Sequence, residues 1–294
     1  WKRFVTDPNY IEEYPDEGYY WGPNFGENRS NTEVRTTLRA LIDYGHIFRD
    51  AHDISGVIGY EQIDNEFEEF RAWRDQFYNN DLRRLNLGNA VNDGNMGYGS
   101  EWALRSVFGR LNYALLGRYL FEFNARYDGS SRFAEGHRYG FFPSLSAGWR
   151  ISEEPFFNLD WVNELKLRAS YGIVGNDAVG SFQWMQKYVI QTGAIFDNPT
   201  VGLSPGPLAN RDITWEKSKS YNLGLDARFL NDRIGLTLDV FRRNTYDILG
   251  SRQAAVPSTF GASLPDENYQ EIDSHGFEVE LEYNGSFGSS GNPI

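Results

Sequence analysis

Apolar and polar residues alternate along the stretch RYLFEFNARYDGSSRF, which runs from Arg118 to Phe133. This period of two is typical of a β-strand whose two faces meet different surroundings. The apolar positions are Tyr119, Phe121, Phe123, Ala125 and Tyr127. A soluble sheet turns such a face towards a core, whereas a membrane barrel turns it towards lipid. The alternation therefore predicts a strand and leaves open which surroundings each face meets.

The same alternation recurs along the chain and predicts nine strands. They cover 34–45, 52–62, 102–114, 118–128, 141–151, 165–174, 217–230, 233–246 and 275–285. In the last of them, Phe277, Val279 and Leu281 alternate with glutamates. Charged residues of both signs on the other faces suit a polar interior, and a solvent-exposed outer face would explain them equally well.

Connections between the predicted strands alternate in length. Those at 46–51, 115–117 and 231–232 are tight, and those at 63–101, 129–140, 175–216 and 247–274 are long. The connection 152–164 blurs the rule and resembles one helical turn. Short turns at one end and long loops at the other are typical of an outer-membrane β-barrel.

Three predicted strands carry an aromatic residue at each end of the apolar face. The pairs are Tyr119 with Tyr127, Phe141 with Trp149, and Tyr221 with Phe229, each eight residues apart. Eight residues at ~3.3 Å each extend about 26 Å. At a tilt near ~40° this spans roughly 20 Å of height, close to the ~25 Å apolar band between aromatic girdles. The spacing favours lipid-facing girdles, while a soluble sheet with aromatics on its buried face stays open.

Composition narrows the function classes. The net charge of −13 argues against nucleic acid as a partner, because phosphate binding needs a basic surface. There is no cysteine, hence no disulfide framework or thiolate metal site, and no apolar run long enough for a transmembrane helix. Both ends resemble cut ends, so we expect a fragment of a longer protein.

Two long connections supply candidate ligand contacts through aromatic side chains. In 65–78, Phe67, Phe70, Trp73 and Phe77 recur at helical spacing, which predicts a helix in the first long loop. Such a helix could carry an aromatic ring to a ligand or simply pack on neighbouring loops. The candidate ligand-contacting residues are Trp73, Tyr78, Tyr98, Trp184 and Tyr188. Trp184 and Tyr188 could equally be strand residues that face the lumen or lipid.

The sequence gives little support for a catalytic site or a metal site. Adjacent acids at Glu12–Glu13, Glu68–Glu69 and Glu153–Glu154 point apart, whereas glycosidase chemistry needs two facing carboxylates. The four histidines are dispersed without metal-ligand spacing, and the glycine-rich stretch 91–99 does not match a calcium loop. The sequence predicts no catalytic residue, metal site or cofactor.

A set of motifs in fixed order carries a family resemblance. They are Asp128-Gly129-Ser130-Ser131-Arg132-Phe133, Phe142-Pro143-Ser144, Ala147-Gly148-Trp149-Arg150, Arg168-Ala169-Ser170-Tyr171-Gly172 and Gly175-Asn176-Asp177. With their surroundings they resemble the barrel of SusC/RagA-type TonB-dependent transporters of Bacteroidetes outer membranes. The resemblance is clear over 105–285 and reaches more loosely back to residue 34.

The resemblance implies an all-β fold, part of a large antiparallel transmembrane barrel of about 22 strands that encloses a plug. It implies multi-pass residence in the bacterial outer membrane, with contact to lipid. It also implies import of a nutrient such as an oligosaccharide or peptide, energy from TonB and a SusD-like surface lipoprotein as partner. Residues 1–294 would then be part of the barrel domain, with the plug, the TonB box and the terminal strands elsewhere in the parent protein.

The motif Asp128–Phe133 has a structural interpretation of its own. Gly129 permits a turn, Ser130 and Ser131 can bond nearby backbone, and Arg132 can pair with an acid at the barrel rim. We expect these residues to shape the start of a long loop rather than to bind substrate.

Three alternatives to an active importer remain at this stage. One is a secreted β-rich protein that binds or hydrolyses carbohydrate, which predicts solubility without detergent and a facing carboxylate pair. Another is a passive porin or adhesin barrel, which would have no plug in its parent protein. The third is a soluble β-sandwich.

Overall fold

The computed structural model describes residues 25–78, 84–195, 198–252, 257–261 and 264–285. Within these ranges the chain forms eleven β-strands and three short 3₁₀ turns, the latter at Leu85–Leu87, Ile151–Glu153 and Ser258–Phe260. The strands are β1 (Phe25–Phe48), β2 (His52–Asp75), β3 (Asn89–Leu115), β4 (Tyr119–Ser130), β5 (Tyr139–Arg150), β6 (Val162–Asn176), β7 (Tyr188–Ile195), β8 (Asn198–Pro205), β9 (Glu216–Phe229), β10 (Ile234–Ser251) and β11 (Asp266–Tyr283).

Nine of these strands form one sheet in the order β1-β2-β3-β4-β5-β6-β9-β10-β11. Each pairing from β3 onward is antiparallel. The nine correspond one to one with the nine predicted strands, which confirms the predicted all-β, antiparallel fold class. Strands β7 and β8 form a separate hairpin that the alternation along the sequence did not predict.

The chain divides into two compact units. One comprises 1–36 and 64–102, which holds the start of β1, the end of β2 and the start of β3. The other comprises 37–63 and 103–294 and holds the remaining strands.

Strand register in the larger unit places the apolar positions of seven strands on one face, called the outward face below. One row across the sheet reads Tyr113, Phe121, Ala147, Ala169, Leu223, Val240 and Phe277. Phe121, Val240 and Phe277 are 47%, 59% and 76% exposed. In the part of the chain that the structure describes, no second layer covers this face, so the apolar side chains do not form a soluble core.

Two of the short connections close with left-handed backbone geometry. Arg49 and Asp50 have φ of 52° and 55°, and Leu116 and Gly117 have φ of 54° and 66°. Positive φ at both central residues defines the type I′ turn, whose twist matches that of paired strands. Tight turns therefore occur where they were predicted, and this end of the strands is called the turn end below.

Several strands extend further towards the loop end than predicted. Strand β2 continues to Asp75 and β3 begins at Asn89, so the long loop predicted at 63–101 shrinks to 76–88. The helix predicted within 65–78 is wrong, because residues 65–75 continue β2 and residues 76–78 follow the end of that strand. Phe67 and Trp73 lie on the same strand face as the nearly buried Glu69, while Phe70 is on the opposite face and 54% exposed.

Within the described ranges, none of the helical segments has the length and apolar character needed to cross a bilayer.

Candidate functional site

A small apolar cluster marks the loop end of strands β4, β5, β6 and β9. This rim cluster consists of Phe133, Phe142, Ile213 and Trp215, which are 0%, 7%, 1% and 3% exposed. The Trp215 ring lies 5.4 Å from the Phe133 ring and 5.1 Å from the Phe142 ring, measured between centroids. The Trp215 Nε1 group donates a hydrogen bond to the Arg138 carbonyl at 2.9 Å, so its polar atom is satisfied.

Beside the rim cluster, three polar residues form a second contact, called the latch. Ser130 Oγ donates to Asp177 Oδ2 at 2.8 Å, and Arg132 Nη1 donates to the Asp177 carbonyl at 3.0 Å. The Arg132 guanidinium also lies 3.7 Å from the Asp177 carboxylate. Ser130 is 1% exposed, so its hydroxyl would be costly to leave unpaired. The latch joins two motifs that stand far apart in the sequence.

The motif Asp128–Phe133 acts in part as expected and in part differently. Ser131 Oγ accepts a hydrogen bond from the Ala103 amide at 2.8 Å, which ties β4 to β3. Gly129 does not form a turn: it lies in β4, and a Cβ atom there would meet the Tyr139 ring at 2.3 Å. A side chain at this position would displace the Tyr139 ring, which stacks on the Tyr127 ring at 5.1 Å.

Two further glycines make room for the Phe142 ring. A Cβ atom at Gly140 would lie 2.3 Å from the ring, and one at Gly175 would lie 2.1 Å from it. Because Phe142 is buried among other rings, it has no space into which to move. The glycines around Phe142 and Asp177 therefore belong to the same packing unit as the rim cluster.

Both ends of the connection 177–215 meet at the rim cluster. The chain leaves β6 at the latch through Asp177 and returns to β9 through Ile213 and Trp215. Asn176 and Glu216 lie opposite each other in the β6–β9 register, and their side chains are bonded at 2.9 Å. The connection that carries the β7–β8 hairpin is thus fixed to the sheet at both ends.

An ion-pair network crosses three strands on the opposite, inward face. Arg168 on β6 donates from Nε and Nη2 to Asp226 on β9 at 2.7 and 2.8 Å, and from Nη2 to Asp239 on β10 at 3.1 Å. Gly224 lies directly between Arg168 and Asp239 in the register. A Cβ atom there would lie 2.7 Å from the guanidinium carbon, so glycine leaves the space through which the arginine reaches.

A concavity of about 350 Å³ opens on the inward face beside this network. Its polar lining includes Glu122, Ser146, Lys166, Arg168 and Asn222. Glu122 and Ser146 are direct register partners on β4 and β5. Groups of both charge signs next to hydroxyl and amide groups can bind a polar peptide or sugar segment.

Three of the candidate ligand-contacting residues belong to the smaller unit. The Trp73 ring lies against Gly94, where a Cβ atom would meet it at 2.3 Å. Tyr98 lies on β3, is 59% exposed, and has its ring 6.2 Å from that of Phe67. Tyr78 follows β2 and is 93% exposed. Tyr78 and Tyr98 thus present accessible rings, whereas Trp73 is partly covered.

The other two candidates belong to the connection 177–215. Trp184 is partly buried in a turn, and its Nε1 atom has no hydrogen-bond partner within the described residues. Tyr188 begins β7 and is 64% exposed. Their role in binding a ligand stays a prediction.

The predicted girdle residues occupy matched positions in the register. Tyr119 lies opposite Trp149 at the turn end, and Tyr127 lies opposite Phe141 at the loop end. The Tyr119 and Trp149 rings stack at 6.4 Å. Tyr221 has its ring 5.0 Å from that of Tyr171, and the Phe229 ring stacks on Trp161 at 5.6 Å. The Tyr127 ring stacks on that of Tyr139 at 5.1 Å, so five of the six predicted girdle residues contact another ring.

Two carboxylates are bound by neighbouring donors. The Tyr119 hydroxyl and the Trp149 indole donate to Glu154, and these hydrogen bonds lower the pKa of that carboxyl against the opposing effect of burial. Glu69 on β2 accepts a hydrogen bond from Arg29 Nε at 2.6 Å and another from Arg71. Both groups bind partners within the chain, as expected of structural rather than catalytic acids.

The acid pairs considered in the sequence give no facing pair. Glu12 and Glu13 lie outside the described residues. Glu69 and Glu154 are engaged as above, and their neighbours Glu68 and Glu153 are exposed. Within the described ranges there is no group of three histidine or acidic side chains able to hold a metal ion.

Sequence reasoning named part of the rim cluster and missed the rest. Phe133 and Phe142 of the rim cluster and Asp177 of the latch belong to motifs that it singled out, but the alternation did not mark Ile213 or Trp215 as buried residues. The sequence offered one signal for Trp215, namely a tryptophan two residues before the predicted strand 217–230.

Comparison with known proteins places this chain among outer-membrane receptors. The family model described as "TonB dependent receptor-like, beta-barrel" matches residues 2–292. TonB-dependent receptor SusC of Bacteroides thetaiotaomicron is 34% identical over 273 residues, covering 90% of this chain and 26% of the relative. TonB-dependent receptor P39 of Formosa agariphila is 32% identical over 264 residues, covering 87% of this chain and 24% of the relative.

Among solved structures, the RagAB peptide transporter superposes with a TM-score of 0.79 at 26% sequence identity. The match covers 87% of this chain and 28% of that one. This chain therefore spans about a quarter of the length of the curated relatives that it matches.

These matches confirm the SusC/RagA-type resemblance and an outer-membrane location. They agree with the register, in which an exposed apolar face and an ion-paired polar face run across the same strands. The chain belongs to the TonB-dependent receptor-like β-barrel family.

Proposed function

We propose that this chain is part of the barrel of a TonB-dependent importer that carries a nutrient across the outer membrane. The observation that carries the proposal is the two-faced sheet. Its outward face is apolar and exposed, while its inward face holds charged networks and a polar concavity. In a bilayer, the first face meets lipid and the second lines the interior through which a polar cargo passes.

An oligosaccharide or a peptide is the proposed cargo. The inward lining offers hydroxyl, amide and charged groups, and Tyr78, Tyr98 and Tyr188 present exposed rings that can stack on a sugar or pack on a side chain. The similar solved structure, RagAB, is a peptide transporter. We propose binding and gated passage rather than catalysis, since the relatives are receptors and transporters.

The proposed partners follow from the same family. TonB would supply energy through a part of the parent protein outside this chain, together with a plug, and a SusD-like lipoprotein would cover the loop end. The connection 177–215, which is anchored to the sheet at both ends, would form part of the surface that meets cargo and lipoprotein.

Uptake by living cells tests the function. Cells of the source organism with and without the parent gene are given a mixture of fluorescein-labelled peptides or of labelled oligosaccharides. We expect uptake of one class that requires both the parent gene and TonB. Uptake that persists after deletion of TonB would indicate a passive porin, and a parent protein that stays soluble without detergent would contradict the membrane assignment. Mass spectrometry of the detergent-purified parent protein tests for the lipoprotein.

A single charge on the outward face tests the assignment of that face to lipid. Phe123 lies midway between Tyr119 and Tyr127 and is 45% exposed. Phe123→Lys is expected to cost about 2–4 kcal/mol, the range for lysine at the bilayer midplane, and to reduce the folded barrel in the membrane. The measurement is heat-modifiable gel mobility of the parent protein.

The matched control places the same charge on the inward face. Ser146→Lys puts lysine opposite Glu122, beside the polar concavity. We expect near-normal assembly, because the ammonium group gains a carboxylate neighbour. Equal loss of assembly in both variants would contradict the assignment of the two faces.

A further inference from the structure

One connection at the turn end differs from the tight turns around it. Between β5 and β6, residues 151–161 form a 3₁₀ turn and an irregular stretch. Phe156, Leu159 and Trp161 in this stretch are 66%, 48% and 55% exposed. Three large apolar side chains within six residues form a patch that water does not favour.

The first half of this connection, called the connector below, is attached to the turn end of the outward face. The Glu154 carboxylate accepts a hydrogen bond from Trp149 Nε1 at 2.9 Å and one from the Tyr119 hydroxyl. The Arg118 guanidinium lies 3.7 Å from it. Tyr119 and Trp149 are the outward-facing ring pair at the turn end. Glu154, which is only 7% exposed, therefore fixes the connector on the side of the sheet that faces lipid.

The second half is held on the same side. The Trp161 ring stacks on Phe229 at 5.6 Å with an interplanar angle of 19°. Phe229 is the last outward-facing aromatic residue of β9, and the Leu230 amide donates to the Trp161 carbonyl at 2.9 Å. Phe156 and Leu159 thus lie between two attachments to the outward face, and the apolar patch continues that face past its aromatic edge.

We propose that the connector 151–161 is an interfacial membrane anchor, with Phe156 and Leu159 inserted among the headgroups and upper acyl chains of the periplasmic leaflet. The proposal rests on the membrane assignment made above. Continuity with the outward face selects lipid as the occupant. Tryptophan, phenylalanine and leucine beside charged groups make up the composition that settles at a bilayer interface.

The charges around the patch indicate the kind of lipid. Within 150–161 the acidic residues Glu153, Glu154 and Asp160 outnumber the basic residue Arg150, and Glu154 is paired with Arg118. A surface of this charge has no electrostatic attraction to anionic headgroups, so insertion should depend on apolar burial. We expect zwitterionic phospholipid to be sufficient.

Site-directed spin labelling of the full-length parent protein tests this anchor. Nitroxide labels are placed on Phe156→Cys or Leu159→Cys, after replacement of any cysteine outside this segment, since the segment itself contains none. Both side chains are exposed, so these variants leave the packing intact. The matched control is Asn158→Cys, also exposed and on the same connector. The protein is reconstituted in phosphatidylcholine bilayers, and label collisions with oxygen and with a water-soluble nickel complex are compared.

The ratio of oxygen to nickel collisions is expected to be several-fold higher at 156 and 159 than at 158. A label at Phe123→Cys reports on the proposed barrel itself. If that label is in lipid while those at 156 and 159 respond to nickel like that at 158, the anchor is overturned and the importer stands. Labels at 156 and 159 shielded from both reagents would show that protein covers the connector, which also overturns the anchor. A label at 123 accessible to nickel would overturn the membrane assignment.

Discussion

Trp215→Ala is expected to lower the free energy of unfolding of the parent protein by about 3–5 kcal/mol, the range found when a buried aromatic side chain is removed. Trp215 is 3% exposed and contacts both Phe133 and Phe142, so its removal opens a cavity in the centre of the rim cluster. It also deprives the Arg138 carbonyl of a donor. Because the cluster holds the returning end of the connection 177–215, limited proteolysis should cleave that connection faster.

The measurements for this variant are thermal unfolding in detergent and the rate of proteolysis within 178–212. Trp161→Ala is the matched control, because that tryptophan is 55% exposed and stacks on Phe229. The control should leave the proteolysis rate of the connection unchanged. Equal effects of the two variants on unfolding and on cleavage would show that the rim cluster does not fix the connection.

Arg168→Met is expected to destabilise the barrel by about 1–3 kcal/mol, the cost of leaving partly buried polar groups without their partner. Asp226 and Asp239 would face each other without the cation that joins them, and their side chains are 28% and 15% exposed. Their repulsion would separate β9 from β10 on the inward face. Thermal unfolding of the detergent-purified parent protein measures the effect.

Two comparisons identify the cause. Adding Asp226→Asn and Asp239→Asn to Arg168→Met should restore much of the lost stability, because the uncompensated charges are removed. Arg252→Met is the comparison change: Arg252 follows β10, and the side chains of its ion pair with Glu267 are 50% and 43% exposed, so a loss of at most ~1 kcal/mol is expected. A triple variant no more stable than Arg168→Met would contradict an electrostatic origin.

Strand existence could be predicted where the two faces meet different surroundings. Along β4, rings such as Phe121 and Phe123 lie on the outward face, while Glu122 and Asn124 lie on the inward face. This contrast produces the period of two that the sequence displays. The same reasoning identified all nine strands of the main sheet and the tight turns that join them.

Strand length could not be predicted where that contrast ends. At the start of β1 and the end of β2, polar side chains occur on both faces, so alternation is lost although the hydrogen-bonded ladder continues. In the end of β2, aromatic residues at intervals of three and four imitated a helix. This segment is a strand because it pairs with β3, and pairing between distant parts of the chain cannot be read from a local sequence pattern.

The candidate site was predictable only in pieces. Motif order pointed to Ser130, Arg132 and Asp177, but the direct contact between them depends on how β4 and β6 pair with β5. Ile213 reaches the rim cluster from an irregular segment in which hydrophobicity has no period. The β7–β8 hairpin was missed because its strands are only eight residues long and because Gly193, Pro199 and Gly202 interrupt the alternation of apolar and polar residues.

The attachment of the connection 177–215 at both ends has a consequence for how such receptors diversify. Asp177 holds one end, and Ile213 and Trp215 hold the other. All three residues pack together at the loop end of the sheet. The segment between them can change in length and composition while the strands keep their register. The segment between Asp177 and Ile213 can therefore be replaced during evolution without a change to the strands. A loop from another protein, inserted between these two residues in the laboratory, should be accepted by the same sheet.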